Sequence, residues 1–315
     1  MLCCRIRFGT IETLVKTESY VYSIVPDEFV AGNILFVDRC SLKTTDGKSV
    51  HLIVGDPNIC GYVEGTGSSA RFREISGAYQ MNRTHVIVSD VGNHCLRLVQ
   101  RETNRTAPFV GKCGKHGNKD GTDPLFSSPW SINVLSEDPP VLVVSDRGNN
   151  ALRAVSLLFG NVSTIPLASQ LKFPLFAMLD DSRNALFVSS RYQLNQINLF
   201  DYTVDNVTGD GTYGDSDGWF DRATFKDVRG IVKLSENVLI VADSSQSKLK
   251  VLDLQQKFVT SICAENDLDA DGDIRVCRVF RPISLLVVDG FLYIGGNKMI
   301  KRVKGNDTFK SFGKS

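Results

Sequence analysis

The sequence has little net charge and no long apolar run. Its formal net charge is +1 over 315 residues, so no broad electrostatic field would draw it to nucleic acid or to an anionic membrane. No window approaches the eighteen or so consecutive apolar residues that a membrane-spanning helix needs. The first fourteen residues, MLCCRIRFGTIETL, lack the sustained apolar core of a signal peptide. We therefore expect no nucleic-acid partner and no membrane span within this chain.

Motifs for covalent or metal chemistry are also scarce. The sequence contains no Gly-x-Ser-x-Gly and no Cys-x-x-Cys motif, which disfavours a hydrolase nucleophile elbow and a cysteine zinc cluster. Its four histidines, His51, His85, His94 and His116, all lie before residue 120. No Ser or Cys pairs with a convincing base. The sequence predicts neither a catalytic residue nor a resident metal.

What the sequence does contain is a repeated hairpin pattern. In residues 86–99 an apolar strand is followed by a turn at Asp90 and Asn93, and then by a strand in which Leu96 and Leu98 alternate with Arg97. Five other segments repeat this order of strand, polar turn and strand. The six copies are residues 34–42, 86–99, 141–155, 185–197, 238–252 and 291–303.

A second pattern separates the hairpins. It has an acidic residue followed by Gly, then a Phe (Phe72, Phe126 or Phe225) expected to fill the space between repeats, and then an apolar strand. The Asp-type positions 38, 90, 146, 190, 243 and 295 are spaced by 52, 56, 44, 53 and 52 residues. Four antiparallel strands at this period are typical of a propeller blade. We predict an all-β fold, a six-bladed β-propeller of four-stranded antiparallel blades, as one domain over residues 1–315. Residues 5–14 are expected to join the last blade or to begin the first.

The repeat resembles the NHL repeat. The resemblance rests on Asp-Gly…Ala-Arg-Phe…Pro followed by Val-Ser-Asp-x-x-Asn-His-x-Leu-Arg. Residues 93–97, Asn-His-Cys-Leu-Arg, carry its Asn-His signature, and residues 149–153 are a near copy. The resemblance covers nearly the whole chain and implies a propeller that is a binding domain or, in a few members, an enzyme. The cysteine-bearing copies are similar to extracellular, invertebrate-type members.

Cysteines and sequons favour an extracellular setting. Cys40 and Cys60 recur in register as Cys95 and Cys113 one repeat later, which predicts disulfides Cys40–Cys60 and Cys95–Cys113. Cys263 and Cys277 are expected to form a third, and the alternative is six unpaired buried cysteines. Five Asn-x-Ser/Thr sequons are expected to lie in turns and to carry glycans, at Asn82, Asn104, Asn161, Asn206 and Asn306. With no signal peptide visible, we expect a piece of a longer secreted protein or a missing first exon.

A binding site is predicted where each repeat enters its innermost strand. Aligning the repeats there gives Tyr22, Ser76, Trp130, Leu175, Arg229 and Ile283. This set contains no carboxylate and no histidine, so it suits binding better than acid–base chemistry. Tyr22, Trp130 and Arg229 are the predicted ligand contacts, since Trp and Arg are enriched at binding hot spots. The alternative is that these residues only pack. We interpret the signature residue His94 as a hydrogen-bonding group within its hairpin turn.

The acidic segment from Asp267 to Asp273 resembles the start of a calcium loop. Arg278 stands at its twelfth position, where a calcium loop has Glu, so a solvated loop is the competing interpretation. We expect no cofactor, with calcium as the alternative.

The sequence therefore predicts a monomeric, non-catalytic recognition module that binds a protein or a glycan on the face of the Asp-Gly loops. One alternative is a metal-dependent lyase or hydrolase on the same propeller, although the amidating lyases of this kind need histidines in later blades, where this chain has none. Another is an intracellular module that binds RNA or a partner protein, which a sequence pI of about 7.5 disfavours.

Overall fold

The computed structural model describes residues 8–262, 271–273 and 279–305, and these residues are all-β. Short 3-10 turns are the only helical elements in these ranges. Nothing in this part of the chain forms a helix long and apolar enough to cross a membrane. The described residues belong to two compact units. The first unit comprises Met1–Val21, Ser189–Asn195 and Asn206–Ser315, and the second comprises Tyr22–Val188 and Gln196–Asp205.

The second unit contains three consecutive antiparallel sheets, except that the first strand enters it only at Tyr22. Sheet 1 consists of β1 (Phe8–Pro26), β2 (Ile34–Asp38), β3 (Ser41–Thr45) and β4 (Val50–Gly55). Sheet 2 consists of β5 (Ile75–Asn82), β6 (His85–Asp90), β7 (Cys95–Gln100) and β8 (Arg105–Val110). Sheet 3 consists of β9 (Pro129–Glu137), β10 (Pro140–Asp146), β11 (Ala151–Ser156) and β12 (Val162–Thr164). In each sheet the strands lie side by side in chain order.

Most of the remaining strands also lie side by side in chain order. Sheet 4, which contributes residues to both units, consists of β13 (Pro174–Leu179), β14 (Ala185–Ser190), β15 (Gln193–Asn198) and β16 (Val204–Thr208). Sheet 5 consists of β17 (Gly218–Trp219), β18 (Val228–Ser235), β19 (Val238–Asp243), β20 (Lys248–Asp253) and β21 (Phe258–Ile262), with β17 beside β21. Sheet 6 consists of β22 (Gly272–Asp273), β23 (Ser284–Val288), β24 (Phe291–Gly295) and β25 (Asn297–Gly305), with β22 beside β1.

The long strand β1 belongs to two sheets. Its first part pairs with β25, with Ile11 opposite Val303 and Lys16 opposite Met299. Its end pairs with β2, so that sheets 6 and 1 form one eight-stranded sheet. The prediction that residues near the N-terminus join the last repeat is confirmed from Phe8 onward.

The predicted hairpin is formed by β6 and β7, in which Val86 lies opposite Val99 and Asp90 opposite Cys95. Between them the residues Val91–Asn93 make a 3-10 turn, which His94 ends in the left-handed conformation. Asn150 and Ser247 end the turns of sheets 3 and 5 in the same conformation. Asn adopts this left-handed conformation more readily than most other residues do.

The core lies between neighbouring sheets, as the Phe pattern predicts. Phe72 is fully buried among residues of sheets 1 and 2, and Phe126 among residues of sheets 2 and 3. The glycine that precedes each loop leaves room for this ring. At Gly55 and Gly111 the backbone φ is positive, and an added Cβ would lie 3.1 Å from the Phe72 ring and 2.8 Å from the Phe126 ring.

Candidate functional site

A buried charged cross-link connects the hairpin of sheet 2 to the loop that precedes it. Asp90 ends β6, and Arg97 lies seven residues later on β7, with both side chains fully buried. Arg97 donates to Asp90 Oδ2 at 3.1 Å and lies 2.9 Å from Glu64 Oε2. It also donates to the carbonyl oxygens of Arg71 and Val63. The alternation of Leu96, Arg97 and Leu98 did not reveal this burial.

Sheet 3 repeats the cross-link, and in sheet 5 a buried lysine repeats its connection to the loop acids. Arg153 donates to Asp146 Oδ2 at 2.7 Å and to Asp120 Oδ1 at 2.6 Å. In sheet 5 the Lys250 ammonium lies 3.4 Å from Asp217 and 3.6 Å from Asp215. The spacing of seven residues between the hairpin acid and the buried base is the sequence signal that could have found these pairs.

The acid of the Asp-Gly turn also binds the outermost strand of its sheet. Asp120 accepts hydrogen bonds from the backbone N–H and the hydroxyl of Thr164, at 3.0 and 3.1 Å. Asp217 accepts the same two bonds from Ser261, at 2.7 and 2.8 Å. These acids therefore connect the loops to the outer strands, and their carboxylates accept hydrogen bonds within the protein.

Burial controls the electrostatics of the hairpin acids. It raises the pKa of Asp90 and Asp146, against the opposing effect of their hydrogen bonds and arginines. Burial also raises the pKa of Asp243, the hairpin acid of sheet 5, to about 6. At Asp120, burial is outweighed by hydrogen bonds from Thr164 and Arg153, which lower the pKa of that carboxyl.

The proposed calcium segment contains one residue of this same network. Asp271 accepts hydrogen bonds from Lys301 Nζ at 2.9 Å and from the Thr13 hydroxyl at 2.8 Å. Asp267 and Asp269 lie outside the described residues, so calcium binding stays a prediction.

Two of the three predicted disulfides are present. Cys40–Cys60 and Cys95–Cys113 have Cα–Cα distances of 5.5 and 5.0 Å. Each joins a hairpin turn to the loop that leads to the next sheet, which restricts that loop. Cys263 and Cys277 lie outside the described residues.

His94 does not bond within its own turn as expected. Its Nδ1 accepts a hydrogen bond of 3.0 Å from the backbone N–H of Ser128, in the loop before sheet 3. Asn150 Oδ1 accepts the equivalent bond from Phe173 at 2.8 Å. The left-handed residue at the end of the turn directs its side chain toward the following loop, whose N–H otherwise lacks a strand partner.

These bonds gather the loops of the second unit at one end of its sheets. We define the loop end as the end that holds the turn between the second and third strands and the segment leading to the next sheet. The hairpin end is the opposite one, which holds the turn between the first and second strands and the turn between the third and fourth strands of each sheet. The turn of the β6–β7 hairpin is therefore at the loop end. At the loop end, Ile75 donates to the Arg39 carbonyl at 2.7 Å, and Gly114 donates to the Asn93 carbonyl at 2.8 Å. The loops of sheets 1, 2 and 3 therefore share one surface.

Four of the six predicted mouth residues meet at this loop end. The rings of Tyr22 and Trp130 are perpendicular, with centroids 5.9 Å apart. Trp130 packs with Val91 and Leu175 in a small apolar cluster, and only 5% of Trp130 is exposed. Ser76 is buried beneath it and donates to the Trp130 carbonyl at 2.7 Å.

The other two mouth residues lie in the first unit. Arg229 donates from Nε to Asp227 Oδ2 at 2.7 Å, and Ile283 is buried. Binding by Tyr22, Trp130 and Arg229 stays a prediction, and the structure brings the first two together.

Two residues that the sequence did not single out complete the aromatic surface. The Arg147 guanidinium lies 5.0 Å from the Trp130 ring centroid and 6.0 Å from that of Phe173. Phe173 is 43% exposed. A cation placed over an aromatic face is attracted to the ring, so Arg147 is held at this position and adds positive charge to an apolar cluster. We call Tyr22, Trp130, Arg147 and Phe173 the aromatic centre.

A basic patch is formed by Lys112, Lys115 and His116 on the loop between sheets 2 and 3, together with His94 in the β6–β7 turn and Arg73 on the loop before sheet 2. Lys112, Lys115 and His116 are exposed there. The His116 ring is 5.6 Å from the His94 ring. Burial lowers the pKa of His94, and the charges of His116 and Arg73 lower it further. These five residues form the basic patch.

The predicted sequons differ in their positions. Asn82 is exposed at the end of β5, Asn104 lies in a turn, and Asn161 is exposed between β11 and β12. The expectation of a turn at Asn206 is wrong, because this residue lies within β16 on an edge of its sheet, where strand pairing supports it. Asn306 lies outside the described residues.

In the described part of the chain, no three His, Cys, Asp or Glu side chains are grouped as metal ligands.

The fold and repeats define a class: proteins built from repeated four-stranded antiparallel sheets on a propeller scaffold. No family model matches the sequence. Human NHL repeat-containing protein 2 is 28% identical over 194 residues, which cover 53% of this chain and 25% of the relative. This chain thus spans about a quarter of that relative's length. This similarity to NHL repeat-containing proteins supports the resemblance to the NHL repeat seen in the motifs, while the likeness to extracellular, invertebrate-type members stays a prediction.

Solved structures support the fold. An auxiliary nutrient binding protein from Bacteroides thetaiotaomicron superposes with a TM-score of 0.72 at 12% identity, covering 94% of this chain and 76% of that one. A gluconolactonase from Xanthomonas campestris gives a TM-score of 0.61 at 8% identity, covering 94% and 89%. At such identities the likeness concerns the fold alone, which hosts both binding proteins and enzymes.

Proposed function

We propose that this chain is a non-catalytic, extracellular recognition module that binds a protein through the loop end of its second unit. Its scaffold would be a monomeric six-bladed NHL propeller formed by residues 1–315 as one domain. The pairing of β1 with both β25 and β2 supports this arrangement, since a shared strand is one way to join the first and last blades.

The observation that carries the proposal is the aromatic centre. Tyr22, Trp130 and Phe173 gather at the end of the sheets where the loops meet, and Arg147 lies over two of their rings. Aromatic residues and arginine dominate binding hot spots. Loops on a rigid scaffold are where such contacts usually lie.

The charged network supports binding rather than catalysis. General acids and bases need ionisable side chains that are positioned toward a substrate. In the repeats, the acids and bases that recur in register are instead paired with one another, as Asp90, Arg97 and Glu64 illustrate. The repeated polar residues therefore stabilise the loops, and the residues that differ between repeats are left to recognise a ligand.

Two disulfides support the extracellular setting, because disulfides persist mainly in oxidising compartments. The exposed sequons at Asn82 and Asn161 are compatible with it. The name of the bacterial neighbour, an auxiliary nutrient binding protein, is also consistent with a binding role.

The test is a binding screen with matched variants. The purified chain is screened against a panel of secreted proteins and receptor ectodomains and against a glycan array. Phe173→Ala removes an exposed ring at the loop end, and Phe159→Ala removes an exposed ring at the hairpin end of the same unit. We expect a protein ligand whose binding is weakened by Phe173→Ala and unchanged by Phe159→Ala.

The alternatives give different results in the same material. A metal-stimulated turnover of a lactone or other small substrate would contradict the proposal and favour the hydrolase or lyase. Reduced cysteines in the native protein, read by mass spectrometry with and without reductant, would favour the intracellular module. Binding to glycans but to no protein would contradict the proposed protein ligand and would leave only the recognition role.

A further inference from the structure

We propose that the basic patch and the aromatic centre together bind an acidic segment of a protein partner, one that places an apolar side chain among its carboxylates. This inference rests on the proposed function and names the chemistry of the ligand at the same site.

The two ends of the second unit carry opposite charge. Among its connecting segments, those at the loop end hold eight Lys and Arg against five Asp and Glu. The cations are Arg39, Arg71, Arg73, Lys112, Lys115, Lys119, Arg147 and Lys172, and the acids are Asp56, Glu64, Glu74, Asp120 and Asp123. The hairpin end reverses this balance. Its acids are Asp27, Glu28, Asp46, Glu102, Asp138, Asp180, Asp181 and Asp201, and its cations are Lys48, Arg83, Arg101 and Arg183.

The excess of positive charge that the loop end exposes to solvent is larger than the count of residues suggests. Glu64 and Asp120 pair with the buried Arg97 and Arg153 and accept hydrogen bonds from the outer strands, so part of their charge is compensated within the protein. Lys112 and Lys115, by contrast, are exposed to solvent. Although the net charge of the chain is only +1, the loop end of the second unit is basic, which steers an acidic partner to this end.

The basic patch is also held rigidly. The Cys95–Cys113 disulfide connects the residue after His94 to the loop that bears Lys112, Lys115 and His116. The hydrogen bond from Gly114 to the Asn93 carbonyl, 2.8 Å long, fixes the same loop a second time. Because Nδ1 of His94 accepts from Ser128, its Nε2 is the nitrogen that carries the proton in the neutral ring. A preorganised loop loses little entropy on binding.

The patch and the aromatic centre are connected. The loop bearing Lys112 runs through Ser128, which His94 holds, into Trp130 at the start of β9. Protein interfaces commonly combine an aromatic core with a polar or charged rim. A bare polyanion such as a sulfated glycan would use the cations but not the Phe173 ring, which is why the arrangement favours an acidic protein segment.

The probe is a fluorescent peptide of about twelve residues, rich in Glu and Asp and carrying one Trp, and its binding is measured by anisotropy. The double variant Lys112→Gln/Lys115→Gln should weaken binding at least about fivefold, as should Phe173→Ala. The control Lys48→Gln/Arg83→Gln removes two cations from the hairpin end and should leave affinity unchanged. Raising the salt concentration should weaken wild-type binding more than that of the loop-end double variant. All replaced lysines lie on loops, and an unchanged melting temperature confirms that the variants fold.

Two further probes separate other anions. A heparin oligosaccharide and a short single-stranded RNA of similar charge are measured with the same variants. The inference is overturned if the peptide does not bind, if the hairpin-end control weakens it equally, or if Phe173→Ala has no effect. It is also overturned if heparin or RNA binds through Lys112 and Lys115 while the peptide does not. A protein found in the screen that binds the loop end without acidic residues would refute this inference and leave the proposed function standing.

Discussion

Sheets 3 and 5 each place one buried base beside the acids of the preceding loop, but the base is an arginine in sheet 3 and a lysine in sheet 5. In sheet 3, Arg153 reaches Asp146, Asp120 and two backbone carbonyls with short hydrogen bonds. In sheet 5, Lys250 occupies the equivalent position and donates to the Thr224 carbonyl at 2.9 Å, while its nearest carboxylates are 3.4 and 3.6 Å away.

The difference shows what the planar guanidinium contributes. An arginine spans two acids and nearby carbonyls with a fixed fork of donors, whereas an ammonium is a compact point charge. In sheet 3, Asn149 also donates to Asp146 at 2.7 Å. Sheet 5 has Gln246 at that place in the turn, and Asp243 accepts instead from the backbone N–H groups of Lys226 and Asp227. We therefore expect the hairpin of sheet 3 to depend more on its base than the hairpin of sheet 5.

The largest predicted effect is on the buried bases. Arg153→Met removes the cation that pairs with Asp146 and Asp120, and it should lower the free energy of unfolding by about 3–5 kcal/mol. Lys250→Met should cost less, since fewer short bonds are lost. Denaturant unfolding measures both variants. Equal losses in the free energy of unfolding would show that the different hydrogen-bond geometry of the two sheets does not affect stability.

The second prediction concerns the disulfide that holds the loop before sheet 3. Replacing Cys95 and Cys113 with Ser should cost about 3 kcal/mol, since the bond closes a loop of about this length. Adding reductant should lower the melting temperature of the wild type by more than the double substitution does, because reductant also cleaves Cys40–Cys60. The double variant should keep only the part of the reductant response that comes from Cys40–Cys60. A double variant as stable as the wild type would contradict this role.

The third prediction concerns the pH dependence of stability that Asp243, the hairpin acid of sheet 5, contributes. Burial raises the pKa of Asp243 to about 6, above its ordinary value of 3.8. The native carboxyl therefore keeps a proton that the unfolded chain has lost, and this group's contribution to stability falls as the pH rises from about 4 to about 6. Asp243→Asn should remove that decline, as measured from melting temperatures across this range. Lys250→Arg should lower the Asp243 pKa toward its ordinary value, and a decline that persists in Asp243→Asn would refute the assignment.

The smallest predicted effect is on the bond between a turn and the next loop. His94→Ala should cost about 1 kcal/mol, because the Ser128 N–H loses its acceptor. His94→Asn should retain most of the stability, since sheet 3 makes the equivalent bond with Asn150. Thermal melts of the two variants test this, and equal losses would contradict the shared role.

Much of the fold could be predicted because its signals are local or periodic. The apolar strands, the polar turns and the Phe pattern recur in each repeat, and each constrains its own segment. The Cys40–Cys60 and Cys95–Cys113 pairs could be predicted because they recur in register. The Tyr22–Trp130 contact followed from aligning the repeats.

What the sequence did not reveal depends on distant partners. Arg97 alternates with leucines as a solvent-facing residue would, yet its acceptors lie up to 34 residues earlier in the chain. Burial of a charge is decided by such partners and not by local pattern. The same applies to His94, whose partner is Ser128, and to Arg147, whose role depends on the Trp130 and Phe173 rings.

Hydrogen exchange of the chain with and without the acidic Trp-bearing peptide tests the central claim most directly, namely that recognition occurs at the loop end of the second unit. The account predicts slower exchange in residues 111–117 and 147–150 and no change in residues 157–161 and 199–203, at the hairpin end. Protection confined to the hairpin end would contradict it.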